Sequence, residues 1–329
     1  MNQTSLVNEI KNQKGIMKET FIKDLKTGDK LSNVMFAVRT VRKGRTSNNK
    51  DYIDVLLADR TGEIQGKIWE DNLDSCDKFE IGNIVNISGN VGEFRDKPQL
   101  TVTFLQRAEE FDVGDFLPKS EKDVEKMYKN IELAVAKVKN EFLVKLLNKF
   151  YADQDTREQI KKASAAAIIH HACVGGLVEH MSEMLNLSQV VKKEYPNLDM
   201  DIITTGILLH DIGKIKELGI TSAITRTLEG SLVGHLVIGA NMVSAAIDSI
   251  KDFPEDLKAK ILHLIVSHHG KLEFGSPIVP MTREAIVLCQ LDDLSTKTNI
   301  AYKMVEDNKD NGLDFSDRHF ALETKMYLK

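Results

Sequence analysis

Phe116-Leu117-Pro118-Lys119-Ser120 is where this chain changes its period. A proline beside Lys-Ser, after two large apolar residues, is a turn signal and a natural seam. Upstream of it, back to Lys30, apolar residues come in short alternating runs. These are Val34-Met35-Phe36-Ala37-Val38, Tyr52-Ile53-Asp54-Val55-Leu56-Leu57, Ile64-Gln65-Gly66-Lys67-Ile68-Trp69, Ile84 to Val91 and Leu100-Thr101-Val102-Thr103-Phe104. β-Branched residues at period two predict strands. Asp59-Arg60-Thr61-Gly62, Ile81-Gly82-Asn83 and Asp96-Lys97-Pro98 separate them, and Glu70 to Phe79 is expected to form a helix after the third strand. Five short strands with a helix after the third is the order of an OB-fold barrel.

Downstream of the seam the period becomes 3.6. Ile131, Val135, Val138, Phe142, Leu143, Leu146 and Leu147 read as one helical stripe, and Ile202–Leu209, Leu232–Ile250, Leu257–Val266 and Glu284–Leu294 as further helices. The expected fold class is multidomain α+β: a polar tail over residues 1–18, a five-stranded barrel over 19–117 and an all-α bundle over 118–329.

The formal net charge of −5 excludes a bulk polycation, so any nucleic-acid contact must come from a local patch. Cys76, Cys173 and Cys289 are odd in number and far apart, without a CxxC, and read as reduced thiols. No apolar run reaches the roughly 18 residues of a membrane span, and residues 1–18 lack the apolar centre of a secretory leader. A cytoplasmic protein without membrane association is expected, and nothing speaks against a homo-oligomer.

Most histidines fall in one stretch, interleaved with carboxylates: His180, the pair His210-Asp211, His235, the pair His268-His269, then Asp292. Each group lies in an apolar segment that reads as helix. Imidazole and carboxylate together suit borderline divalent ions such as Mn²⁺, Fe²⁺, Co²⁺ or Zn²⁺. Seven such groups are too many for one ion but suit two that share a bridging Asp211, the arrangement that activates water for phosphoester hydrolysis. Gly213, after His210-Asp211, reads as a helix C-cap, and Gly270 repeats that logic after His268-His269.

The order H…HD…H…HH…D resembles the HD-domain phosphohydrolase superfamily. His170-His171-Ala172-Cys173-Val174-Gly175-Gly176-Leu177-Val178-Glu179-His180 is similar to the signature "HHAxxGGLxEH" of the YhaM-type 3′–5′ exoribonucleases. Leu208-Leu209-His210-Asp211-Ile212-Gly213-Lys214, Gly234-His235-Leu236-Val237-Ile238-Gly239, Ser267-His268-His269-Gly270 and Gly275-Ser276-Pro277 continue the likeness. The family's "LHYxDxLDAK" stands here as Leu288-Cys289-Gln290-Leu291-Asp292-Asp293-Leu294-Ser295-Thr296-Lys297, so Cys289 and Ser295 replace a His and an Asp. The resemblance implies one ion on His180, His210, Asp211 and Asp292, and a second on Asp211, His235, His268 and His269, with Mn²⁺ favoured. Asp293 is the rival to Asp292, and His171 is a residue of the signature with a ligand or a structural role. Catalytic roles are implied for Asp211 and for Lys214, which would neutralise a phosphate oxygen. Lys214 also reads as a lysine answering a helix dipole.

OB-fold barrels bind single strands on one face, framed by the loops after strands one and four. The first loop is expected over Arg39–Lys50, carrying Arg39, Arg42, Lys43, Arg45 and Lys50, and the other over Phe94-Arg95-Asp96-Lys97-Pro98. Phe36, Tyr52, Trp69 and Phe94 are candidate stacking platforms. The expected activity is 3′–5′ exonucleolytic hydrolysis of single-stranded RNA, with single-stranded DNA as a second substrate, to nucleoside 5′-monophosphates. Two other readings stand at this point. One is an HD phosphohydrolase of small nucleotides or cyclic dinucleotides with a regulatory barrel, whose activity would survive loss of residues 1–118. The other is a non-enzymatic single-strand-binding protein, which metal-dependent turnover would exclude.

Overall fold

The computed structural model describes residues 18–94, 97–117, 119–166, 171–220, 223–308 and 312–329. They divide into two compact units, one ending at Lys119 and one beginning at Ser120, with 220–223 grouped with the first. No helix among the described residues is long and apolar enough to cross a membrane.

In the first unit, β1 (Lys30–Arg45), β2 (Asp51–Asp59), β3 (Gly62–Trp69), β4 (Ile84–Phe94) and β5 (Lys97–Arg107) close a barrel in the order β1-β2-β3-β5-β4. Closure depends on the length of β1, whose 16 residues serve two neighbours. Lys30 to Ala37 pair with β4, and Ala37 to Arg45 pair with β2. β3 and β5 complete the ring in parallel, from Gln65↔Gln99 to Ile68↔Val102. Alternation turns Val55, Leu57, Ile68, Val85, Ile87, Leu100 and Val102 inward, where each is fully buried. Each such side chain stabilises the barrel by about 1.5–3 kcal/mol. Phe36 joins this core and is no stacking platform.

Two expectations for the barrel are corrected. The basic run is mostly strand, not loop: Arg42 pairs with Asp54, Lys43 with Ile53 and Arg45 with Asp51 across the β1–β2 ladder, so only 46–50 turn. A strand with exposed basic residues lacks the apolar alternation that announces one. Glu70 to Phe79 forms no α-helix either; its described helical part is a 3₁₀ segment, Glu70–Ser75.

The second unit is helical: α1 (Val124–Lys137), α2 (Glu141–Tyr151), α3 (Gln154–Lys162), α4 (Gly176–Glu194), α5 (Met200–Leu209), α6 (Lys214–Glu217), α7 (Leu228–Leu232), α8 (His235–Asp248), α9 (Glu255–Ser267) and α10 (Arg283–Glu306). A two-stranded ribbon, β6 (Leu218–Ile220) and β7 (Ile224–Arg226), is added to it. The core gathers Leu143 and Leu147 of α2, Leu177 and Met181 of α4, Ile203 and Ile207 of α5, Ile261 and Ile265 of α9 and Leu288 of α10. The stripe from Ile131 to Leu147 is two helices, because the Asn140 side chain accepts from the amides of Phe142 and Leu143 and starts a new one. Such a cap stabilises its helix by about 1 kcal/mol. The run 232–250 is likewise broken at Gly234, and the last helix continues past Leu294 to Glu306.

Candidate metal centre and nucleic-acid interface

Five helices and their ends carry the histidines and acids to one place. His180 projects from α4, His210 and Asp211 follow α5, His235 opens α8, His268 and His269 follow α9, and Asp292 lies within α10. Besides His171, Glu179 and Glu183, three groups of side chains among the described residues have ligand atoms all within 4.8 Å of one another: His180, His210 and Asp292; His210, Asp211 and His268; His235, His268 and His269. Asp211 stands between them, its Oδ2 3.3 Å from His210 Nε2 and its Oδ1 3.5 Å from His235 Nε2 and 3.7 Å from His268 Nε2. His180 Nε2 lies 3.1 Å from Asp292 Oδ1.

The outer ring nitrogens explain why the inner ones converge. His210 Nδ1 is 2.9 Å from Ile207 O, His268 Nδ1 2.7 Å from Ile265 O and His269 Nδ1 2.9 Å from Phe274 O. A carbonyl oxygen can only accept, so each Nδ1 carries the proton and each Nε2 keeps its lone pair. His235 Nδ1 meets the Glu217 carboxylate at 3.1 Å, and His180 Nδ1 meets Ser295 Oγ at 3.0 Å. His210 Nε2, His235 Nε2 and Asp211 Oδ1 are buried with no hydrogen-bond partner among the described residues. A buried polar atom left so costs about 1–3 kcal/mol, which a ligated cation would offset. The donor set therefore fits borderline divalent ions.

Ionisation runs in the same direction for His180, His268, His269 and the two carboxylates, and against it for His210. Burial pushes the pKa of His180 and His269 down, and that of His268 well down. For His210, burial is outweighed by the neighbouring Asp211 charge, and the net direction is up. Burial opposes ionisation of Asp211, but Lys214 and His210 hold its carboxyl well below the usual range; His180 does the same for Asp292. Neutral imidazoles and ionised carboxylates are the ligating forms. The buried Lys214 ammonium lies 2.7 Å from Asp211 Oδ2.

Gly213 corrects the reading as a cap. Its φ is −61°, an ordinary helical value, and it is required for another reason: an added Cβ would lie 2.2 Å from His235 O. Gly270, by contrast, has φ +79° and suits the turn after α9. His171 stays outside the three groups around Asp211; its Nε2 meets Glu183 Oε2 at 3.1 Å. Asp293 pairs with Lys297 at 2.9 Å and joins none of the groups. His263 accepts a hydrogen bond from the Met281 amide, and His170 lies outside the described residues. Glu217 and Glu183 are not signalled by the sequence, and Ser295 stands out there only as a departure from the family's aspartate. Glu217 and Glu183 each lie three residues past a residue of interest, a helical spacing too common to single them out.

The barrel's candidates are spread more widely. Arg39 donates to Phe116 O at 3.2 Å, Arg45 pairs with Asp51 at 2.7 Å, and Lys50 lies 3.7 Å from both Glu70 and Asp71. Arg42 and Lys43 are exposed on β1. Tyr52 and Trp69 are register partners on β2 and β3, with ring centroids 5.8 Å apart. Lys67 Nζ sits 4.1 Å above the Tyr52 ring and 4.9 Å from that of Trp69, and is held by Asp54 at 3.2 Å. Phe94, at the end of β4, is exposed. Arg95 lies outside the described residues, as does the side chain of Lys97, whose backbone opens β5.

Residues 177–297 match the family model described as HD domain, and residues 35–108 match that described as OB-fold nucleic acid binding domain. Two solved structures from Methanococcus maripaludis also match. A domain of replication protein A is 23% identical, covers 28% of this chain and 96% of that one, with a TM-score of 0.24. The second OB-fold domain of replication protein A is 19% identical, covers 29% of this chain and 97% of that one, also at 0.24. The chain thus joins an OB-fold nucleic-acid-binding domain to a helical region containing an HD domain.

Proposed function

We propose that this chain is a metal-dependent 3′–5′ exoribonuclease that shortens single-stranded RNA, and single-stranded DNA as a second substrate, to nucleoside 5′-monophosphates. The observation that carries the hydrolytic part is the convergence of five imidazoles and the Asp292 carboxylate around the buried Asp211. His180, His210, Asp211 and Asp292 would hold one divalent ion; Asp211, His235, His268 and His269 would hold a second, with Mn²⁺ favoured. When bound, such ions supply Lewis-acid charge to a phosphodiester and lower the pKa of water.

The rest is the work of the chain. Asp211, held ionised by Lys214 and His210, offers one oxygen toward each side of the cluster. Lys214 brings a fixed positive charge to the same carboxylate and would take up a phosphate oxygen as the scissile group enters. The anchored Nδ1 atoms keep five Nε2 lone pairs aimed without reorganisation, which is how a preorganised site lowers a barrier. Nucleic acid as substrate is supported by the Tyr52–Lys67–Trp69 face, where bases can stack beside a cation. The 3′ polarity and the preference for RNA rest on the motif resemblance.

Incubating 5′-labelled RNA with the protein and Mn²⁺, with and without a chelator, tests the reading. A ladder of shortened labelled products that disappears with chelator is expected. Immediate release of labelled mononucleotide would reverse the polarity, and no metal-dependent cleavage would overturn the assignment.

A further inference from the structure

Three of the five central histidines are aimed by backbone carbonyls and one by the carboxylate of Glu217. His180 alone is aimed by a hydroxyl. Its Nδ1 lies 3.0 Å from Ser295 Oγ, which in turn lies 2.9 Å from Glu183 Oε2. Serine has one proton to give and lone pairs to accept with. An ionised Glu183 only accepts, so the Ser295 proton points to Glu183. Its lone pair then faces His180, whose Nδ1 must be the protonated nitrogen.

Glu183 is fastened on its other sides as well. Lys122 Nζ meets its Oε1 at 2.6 Å, and His171 Nε2 meets its Oε2 at 3.1 Å. Lys122 also reaches Glu179 at 3.0 Å, and Glu179 accepts from Ser120 Oγ at 2.6 Å. His171 is held with φ +44°, a left-handed backbone that L side chains seldom adopt. Such strain, of order 1–3 kcal/mol, persists where surrounding structure enforces it and tends to mark working parts. The centre of the ring it presents lies 5.3 Å from that of His180, the two planes tilted by 49°.

We propose that Ser295 and Glu183 form a positioning relay for His180, with His171 and Lys122 as its outer anchors, so that one metal ion is set through a hydroxyl and its partner ion through the Glu217 carboxylate. The relay gives a role to two features otherwise unexplained: the His171 of the sequence signature, and the serine that stands where the resembling family has an aspartate. A hydroxyl between His180 and Glu183 lets that carboxylate fix the tautomer without placing a third negative charge, beside those of Asp211 and Asp292, at the ion. The proposal rests on reading His180 as a ligand.

The test is Mn²⁺ titration of the full-length protein, followed by the paramagnetic resonance of free Mn²⁺, on the wild type and on Ser295→Ala, Ser295→Thr and Glu183→Gln. Second-sphere changes cost about 10–100-fold in metal affinity. Ser295→Ala is expected to weaken one of two bound ions by that factor, Ser295→Thr to restore it by returning the hydroxyl, and Glu183→Gln to give a partial loss. In metal-free protein, the ¹⁵N spectrum of His180 should show a single Nδ1–H tautomer in the wild type and a mixture in Ser295→Ala, a change that loss of packing alone would not produce. A wild type that binds no Mn²⁺ removes the ligand reading of His180. A wild type that binds two ions, with Ser295→Ala and Glu183→Gln binding both as tightly, overturns the relay and leaves the ligands standing. Should Ser295→Ala fail to fold, Glu183→Gln alone decides.

Discussion

The two units place their polar groups under opposite conditions. Around Asp211 the side chains are buried or half-buried and each imidazole has its outer nitrogen tied down, so a displacement of one group disturbs its neighbours. On the barrel most of the candidate contacts lie at the surface, and several are already paired with local acids. Buried polar constellations are therefore expected to fail sharply when one member is lost, and stacking surfaces to weaken by degrees.

The largest effect should come at the centre of the first arrangement. Asp211→Ala removes the carboxylate shared by both halves, and cleavage of labelled RNA should fall by at least ~10³-fold, the scale of losing a group that acts as a unit with its neighbours. Binding of the same RNA, read by fluorescence anisotropy, should be unchanged. Full activity in this variant would end the comparison. Next comes Glu217→Gln, which keeps the shape but not the charge that orients His235. A loss of about 10-fold in Mn²⁺ affinity or activity is expected, and a wild-type titration curve would show that the ring needs no such partner.

On the barrel, Tyr52→Ala should weaken single-stranded RNA binding by about 10-fold, as loss of one stacked base contributes ~1–3 kcal/mol. Turnover of bis-p-nitrophenyl phosphate, a phosphodiester without nucleobases, should stay at the wild-type rate. A variant with collapsed turnover but intact affinity would mean that the aromatic face serves something other than grip.

Much of this was legible in the sequence, and for a physical reason. Histidine and aspartate inside apolar helical segments are conspicuous, because such segments otherwise exclude them. All seven groups named from their spacing come together around Asp211. What aims them was not legible. Three anchors are backbone carbonyls, which every residue has, and Ser295 lies 115 positions from the His180 it touches. The barrel's edges were misread where exposed lysines and arginines extend β1 through a stretch that looks like loop. The sequence marks Gly213 by its place after His210-Asp211, but its role is close approach to a second helix, which leaves no local trace.

The smallest effect concerns acid. Glu183 is driven down to about 2: burial opposes this, but the bonds from His171, Lys122 and Ser295 prevail. A carboxylate depressed in the folded state contributes stability above its unfolded pKa of about 4.3 and loses it as pH falls toward 2. Glu183→Gln should therefore flatten part of the decline in thermal midpoint between pH 4.5 and 2.5, by a few degrees. An unchanged slope would mean that Glu183 titrates normally.

Gly213 carries a last consequence. The spacing between the turn bearing Asp211 and the start of α8 is gauged by an atom the chain does not have. A single methyl at 213 is a wedge driven against the carbonyl of His235 and the amide of Gly239. Alanine, the mildest substitution in most helices, would here act as a spacer that pulls the two halves of the centre out of register while sparing every ligand.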